Sequence, residues 1–251
     1  MSGASDGPRE SDRSEPIGTV DTVVVDAVEP QESAAFWRGL TGAETVVADD
    51  DHWVTLETPD GWNIAFQPAP DLVRAQWPGQ EHPQQVHLDL RVADVGAAVA
   101  RAVALGATVL RENETWTTLA DVDGHPFDLC HAPDARRLSV LGVTFDVPDA
   151  SAAAAFWSRV LGDPVGYDAG GRAMLDGERP LLFQTVEGYS APRWPDPAFP
   201  QQLHLDLWTG TRSLDDAEAL VLEAGASKLP GGGESFRVFA DPAGHPFCLL
   251  G

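Results

Sequence analysis

Residues 84–90 read Gln-Gln-Val-His-Leu-Asp-Leu, and residues 201–207 read Gln-Gln-Leu-His-Leu-Asp-Leu, 117 positions later. Apolar and polar residues alternate in both, the period-2 pattern of a strand with one face packed and one face open. Val86, Leu88 and Leu90 fall on the face expected to pack on a helix layer, which leaves His87, Asp89 and Arg91 on the other. The same alternation sets His204 beside Asp206 and Trp208. A repeat at this distance decides the architecture before any single element does.

The recurrence extends to both sides of this strand. Asp26, Phe36, Trp37 and Gly42 return as Asp146, Phe156, Trp157 and Gly162, all at an offset of 120. Phe66-Gln67 and Trp77-Pro78 return as Phe183-Gln184 and Trp194-Pro195 at 117. Asp121-x-x-Gly124-His125-Pro126-Phe127 returns as Asp241-x-x-Gly244-His245-Pro246-Phe247 at 120. The chain is a tandem duplication.

Each half divides once more. Thr22 to Val28 is β-branched and strand-like, and Gln31 to Leu40 carries Ala34, Ala35, Trp37 and Leu40 at helical spacing before the Gly42 stop. Val46-Val47, Trp53 to Glu57 and Asn63 to Gln67 follow as short strands between Asp and Gly turns, completing a βαβββ unit. A second unit runs through Val86 to Val92, a helix over Val95 to Leu105, and strands near Thr108 to Leu110, Thr115 to Leu119 and Pro126 to Cys130. Four such units fill the chain, giving an α+β fold. Two domains are expected, over 17–132 and 140–251, with an aperiodic linker at 133–139.

At 251 residues and 43% hydrophobic content, the chain can bury two ordinary cores. A net charge of -23 repels phosphate backbones and anionic headgroups, so nucleic acid and membrane surfaces are excluded as partners, and a cationic ligand would be steered inward. Apolar runs all break well short of the ~20 residues of a membrane span. Residues 1–16 are polar, without the apolar stretch of a signal peptide, and read as a disordered tail. Only Cys130 and Cys248 are present, out of register in the repeat, so no disulfide framework is expected and a reducing cytoplasm fits.

The paired βαβββ units, the Phe-Trp of the first helix, the Gly-His-Pro-Phe turn and the His-Leu-Asp-Leu strand resemble the vicinal-oxygen-chelate superfamily, in particular its glyoxalase-like and bleomycin-resistance-like members. The resemblance covers residues 18 to 251. It implies two domains with curved mixed sheets, each around a cup that takes a small molecule, with inward-pointing metal ligands on the first and last strands of each unit. Carried over by position, these are Thr22, Gln67, His87 and Asp128 in the first half, and Gly142, Gln184, His204 and Cys248 in the second. Metal-dependent members place a histidine at the first position, where this chain has Thr22 and Gly142.

His87, Asp128 and Gln67 form the expected metal set, since mixed imidazole and oxygen donors suit Mg²⁺, Mn²⁺ or Fe²⁺. His204 with Cys248 favours a softer ion such as Zn²⁺, though short of the ~3 protein ligands of a catalytic zinc; Ni²⁺ belongs with these candidates. With a metal, two adjacent substrate oxygens would be polarised while Asp128 or Asp89 moves a proton; without one, His87 alone could act as base. Asp128 and Cys130 should face the cup, and Phe127 and Leu129 the helices. Trp53, Trp77, Trp194 and Trp208 would wall a site for planar or cationic ligands, and Trp37 and Trp157 belong to the core. Trp77-Pro78 and Trp194-Pro195 sit in long loops that could form a lid or a plug between domains. Gly124-His125-Pro126 reads as a tight turn with its histidine at the rim.

Two functions follow as expectations. One is a protein that sequesters a small aromatic or cationic molecule, as in drug resistance, or acts on it without metal. The other is a divalent-metal-dependent lyase, isomerase or dioxygenase. Chemistry is expected in the first half, in a monomer with an internal pseudo-dimer or a homodimer of such chains.

Overall fold

The structure is a computed structural model that describes residues 15–49, 52–79, 81–194, 196, 199 and 202–251. The expected disordered tail, save Glu15 and Pro16, lies outside the described residues. The first half comprises β1 (Thr19–Ala27), α1 (Pro30–Thr41), β2 (Glu44–Asp49), β3 (Trp53–Glu57), β4 (Asn63–Pro68), β5 (Val86–Val92), α2 (Val95–Ala104), β6 (Thr108–Glu112), β7 (Trp116–Ala120) and β8 (Pro126–His131). The second comprises β9 (Ser139–Val147), α3 (Ala150–Leu161), β10 (Val165–Ala169), β11 (Arg172–Leu175), β12 (Leu181–Thr185), β13 (Leu203–Trp208), α4 (Leu214–Ala224), β14 (Ser227–Gly232), β15 (Phe236–Ala240) and β16 (Pro246–Leu250). The expected βαβββ unit therefore occurs four times.

Local chemistry sets the helix ends. Asp94 caps α2 by accepting from the Ala97 N–H at 2.9 Å, Asp149 caps α3 through Ala152, and Ser213 caps α4 through Asp216. α1 starts on Pro30 and ends at Gly42, whose φ of 77° turns its N–H back to the Arg38 carbonyl. No helix among the described residues is long and apolar enough to cross a membrane.

In each unit the fourth strand pairs in parallel with the first, as Thr22 opposite Asn63 shows for β1 and β4. The first strand then has one free edge, which must find another strand or leave its backbone groups unpaired. It finds the first strand of another unit. β1 pairs antiparallel with β13, and β5 with β9, producing two open eight-stranded sheets. Their orders are β14-β15-β16-β13-β1-β4-β3-β2 and β10-β11-β12-β9-β5-β8-β7-β6. Each sheet thus takes one unit from each sequence half.

The halves are stitched between the sheets. α1 packs on β3 and β4 of one sheet, while its Phe36 and Trp37 reach Phe127 on β8 of the other, with ring centroids 6.0 and 5.3 Å apart. Phe156 and Trp157 on α3 contact Phe247 on β16 in the same way, at 6.3 and 5.3 Å. One continuous apolar core results, with Val23, Phe66, Leu88, Phe127, Phe145, Trp157 and Phe247 almost fully buried.

The repeated Asp-x-x-Gly-His-Pro-Phe turn is the polar part of that stitching. Trp37 Nε1 donates to Asp121 Oδ2 at 3.0 Å, and Asp121 Oδ1 accepts the backbone N–H groups of Asp123 and His125. Trp157 donates to Asp241 at 3.1 Å in the second copy. His125 was expected at the rim; it is buried instead, with Nε2 2.6 Å from the Asp26 carbonyl oxygen, because it ties the turn to β1. Trp37→Phe keeps the ring but leaves Asp121 Oδ2 without its donor, and a buried unpartnered acceptor costs about 1–3 kcal/mol. Urea unfolding of this variant should therefore show a lower midpoint with an unchanged slope; a midpoint equal to the parent's would refute the role given to the indole N–H.

Candidate functional site

The side chains on the open face of β5 are held from both sides by its ladder partners. Asp89 lies opposite Asp128 of β8, and His87 lies opposite Thr144 of β9. Thr144 Oγ1 donates to Asp89 Oδ2 at 2.7 Å, which fixes that carboxylate with a group from the other half of the chain. His87 Nε2 stands 3.6 Å from Asp89 Oδ1 and 3.9 Å from Asp128 Oδ2. These three residues form the floor of a cavity of about 530 Å³, within the range of sites for small organic molecules.

Its walls come from both edges of the sheet. Arg111 on β6, Trp116 and Thr118 on β7, Tyr167 on β10, Arg172 and Met174 on β11 and Leu182 on β12 all line it, with Trp77 from the loop after β4. An open sheet whose opposite margins line one cavity must be strongly curved, so this is the expected cup. Trp77 stands at its wall, with the Arg111 guanidinium 6.0 Å from its ring centroid.

Three side-chain atoms in the cavity lining are buried without a hydrogen-bond partner: Gln84 Oε1, His87 Nδ1 and Asp128 Oδ1. Such atoms are rare in folded proteins because each forfeits its hydration without replacement. All three residues line the same cavity. Burial pushes the Asp89 carboxyl above its ordinary value, and Asp128 adds to the rise, against the opposing pull of His87, Thr144 and Arg172. The Cys130 thiol, 4.0 Å from Asp89, is likewise pushed up, by burial first and then by Asp89 and Asp128. It stays protonated at neutral pH and offers no thiolate nucleophile.

The structure separates the expected metal set. Gln67 lies on β4 in the other sheet and donates to Asp26 Oδ1, because β4 follows β1 and β1 pairs with β13 and not with β5. The glutamine brought near His87 and Asp128 is Gln184 of the second half, and its Nε2 is engaged by Asp146 Oδ1 at 2.6 Å. Trp53 likewise belongs to the sheet of His204 and donates to Thr55 Oγ1 at 2.8 Å. Gly142, at the first-strand position, cannot carry a ligand side chain: a Cβ there would lie 2.4 Å from Leu182 Cδ1 and 2.6 Å from the Pro180 oxygen.

The corresponding face of the other sheet carries His204, Asp206 and Cys248, with His204 Nε2 3.5 Å from Asp206 Oδ1 and Cys248 paired in register with Asp206. Burial and Asp206 raise the Cys248 thiol. Thr22 sits opposite Asp206 but gives its hydroxyl to Asp21. Trp208 stands 47% exposed at the end of β13, and Trp194 is half-buried near Gly231. Sequence reasoning overlooked Gln84, Trp116, Tyr167, Arg111 and Arg172. Gln84 was legible as the first residue of the repeated strand motif; the arginines become visible only as positions where the two halves differ.

A family described as "Glyoxalase-like domain" matches residues 22–130 and 142–250, one copy on each sequence half. The chain is similar in structure to glyoxalase I from Zea mays, with a TM-score of 0.64 at 16% identity, covering 92% of this chain and 92% of that one. It is also similar to a putative dioxygenase from Bacillus subtilis, with a TM-score of 0.62 at 12% identity, covering 94% and 86%. At these identities the likeness shows the fold. No curated protein matches the chain.

Because the folded chain holds the Asp89 carboxyl above 3.8, the unfolded chain releases that proton first as pH rises. Asp89 therefore destabilises the fold progressively above that pH, and the cost is complete once the pH exceeds the folded value. In chelator-treated protein, Asp89→Asn should melt higher than the parent at about pH 7, with the difference closing as pH falls toward about 4. A variant that melts lower at every pH would mean that the carboxylate is a net stabiliser.

Proposed function

This chain belongs to the glyoxalase-like domain family, within the vicinal-oxygen-chelate superfamily, and from that premise we propose that it binds and sequesters a small planar molecule in the cup of the β5–β9 sheet. The observation that carries this reading is an aromatic-walled cavity of about 530 Å³ whose lining includes three residues that each bury a polar atom without a partner. The walls supply apolar and stacking contact, and Gln84, His87 and Asp128 supply orientation. Isothermal titration against planar compounds should find binding to this cup, and Trp116→Ala should weaken it about tenfold or more, the loss expected when a stacking wall is removed. Failure of every compound to bind the parent protein would count against the reading.

A second reading, a divalent-metal-dependent lyase, isomerase or dioxygenase, is favoured by the donor set on the floor. One imidazole nitrogen and two carboxylate oxygens of His87, Asp89 and Asp128 lie within 4.8 Å of one another. That spacing and donor chemistry fit Mg²⁺, Mn²⁺ or Fe²⁺, and the unpartnered Asp128 Oδ1 fits a carboxylate with capacity to spare. His87, Asp89 and Asp128 would hold the ion, which would supply Lewis-acid polarisation to two neighbouring ligand oxygens. The protein's own part is proton transfer: Asp89, whose carboxyl burial pushes above its ordinary value, would give or take a proton at its carboxyl oxygen. Chelator-stripped protein should gain thermal stability with Mn²⁺, by about 2.7 kcal/mol at a hundredfold excess over Kd, and Asp128→Asn should lose that gain. No stabilisation by Mg²⁺, Mn²⁺, Fe²⁺, Ni²⁺ or Zn²⁺ would eliminate this reading and leave the first untouched.

A further inference from the structure

Arg111 and Arg172 form no ion pair among the described residues, although the chain carries 39 acidic residues against 16 basic ones. Several cations elsewhere are engaged. Arg91 pairs with Asp134, Arg237 with Asp215 and Glu218, Lys228 with Glu218, and Arg179 donates to backbone carbonyls. The two guanidinium groups, Arg111 against the Trp77 ring and Arg172 within electrostatic reach of Asp89, come from strands on opposite sides of the sheet, β6 and β11, and line the same cavity.

The duplication supplies an internal control. Gly231 takes the place of Arg111, since a Cβ there would lie 3.8 Å from Trp194, the repeat partner of Trp77. Trp53 takes the place of Arg172, because Val54 pairs with Phe66 as Ala173 pairs with Phe183. Histidine, aspartate and loop tryptophan recur at the matching positions of both sheets; the arginine pair belongs to one. It is therefore not required by the fold.

Resting on the binding reading above, we propose that this cup selects an aromatic oxyanion, a carboxylate or a group of like charge, held at the wall by Arg111 and Arg172, with a hydrogen-bond donor at the far end of the ring. Guanidinium groups suit planar oxyanions through paired N–H donors. Asp89 and Asp128 repel an anion from the floor, so the charged end stays between the arginines and the ring lies inward against Trp116 and Tyr167. Its far end then lies beside Gln84 and Asp128 of the cavity lining, each of which keeps a buried acceptor oxygen without a donor. The chain's net charge of -23 does not overrule this choice, because at physiological ionic strength charges beyond about 8 Å are largely screened and the nearest groups decide. The acidic composition had suggested a cationic ligand; the cavity wall carries the opposite sign.

The test is a matched series titrated by calorimetry on phenyl and naphthyl rings. In the phenyl set these are 4-hydroxyphenylacetate, tyrosol, tyramine and phenylacetate, which are the hydroxylated anion, its neutral and cationic counterparts, and the anion lacking the donor. The hydroxylated carboxylate should bind about tenfold or more tightly than the neutral alcohol, with the amine weakest, the scale of a charge-assisted pair. Phenylacetate should lose about fivefold for want of a donor to the floor. Arg111→Gln with Arg172→Gln should bring the carboxylate level with tyrosol while tyrosol itself changes by less than about twofold, which also certifies that the variant is folded. Tyrosol or tyramine binding as tightly as the carboxylate would overturn the charge assignment and leave the cavity reading standing. No binding by any member on either ring would take down the cavity reading and this proposal with it.

Discussion

The structure depends on the antiparallel pairing of first strands, β1 with β13 and β5 with β9. Each βαβββ unit closes one edge of its first strand with its own fourth strand and leaves the other edge open. An open edge rich in Val, Leu and Phe would be an aggregation site, and the four units remove two such pairs by meeting each other. The register of that meeting is also the register of the site, since it sets Thr144 opposite His87 and delivers the Thr144 hydroxyl to Asp89. Fold stability and site geometry thus rest on the same ladder.

From this pairing it follows that neither sequence half owns a cup. The half that carries His87, Asp89 and Asp128 supplies one wall, and Tyr167, Arg172, Met174 and Leu182 come from the other. Within a half, the two units are joined back to back instead. The Phe-Trp of the first helix packs on the last-strand phenylalanine, and the indole N–H is received by the buried aspartate of the Gly-His-Pro-Phe turn. These residues recur at both ends of the duplication because both stitches are needed to bring the four units into one core.

The two sheets share their histidine and aspartate at matching positions but not their remaining chemistry. Where one has Asp128, Arg111 and Arg172, the other has Cys248, Gly231 and Trp53. Replacing a carboxylate by a buried, protonated thiol removes a hard-ion ligand and an acceptor together. Removing the arginines takes away the charge at the wall. Duplication followed by such divergence concentrates the charged side chains in the cup of the β5–β9 sheet.

Much of this was legible in the chain itself. The offset of the repeat revealed the duplication, helical spacing in Ala34 to Leu40 and strand alternation through Val86 to Leu90 revealed the unit, and alternation alone turned His87, Asp89 and Asp128 toward the cup. These are local properties, set by the 3.6- and 2-residue periods of the backbone. The partner of an open strand edge is not local. All four units present similar edges, so Gln67 or Gln184 could equally have joined His87, and His125 could have stood at a rim or, as it does, under Asp26. Sequence by itself determined the units and the face each side chain shows; only the tertiary structure decided which units share a cup, because backbone hydrogen bonding rewards any satisfied edge and the choice between them is made by packing across the whole core.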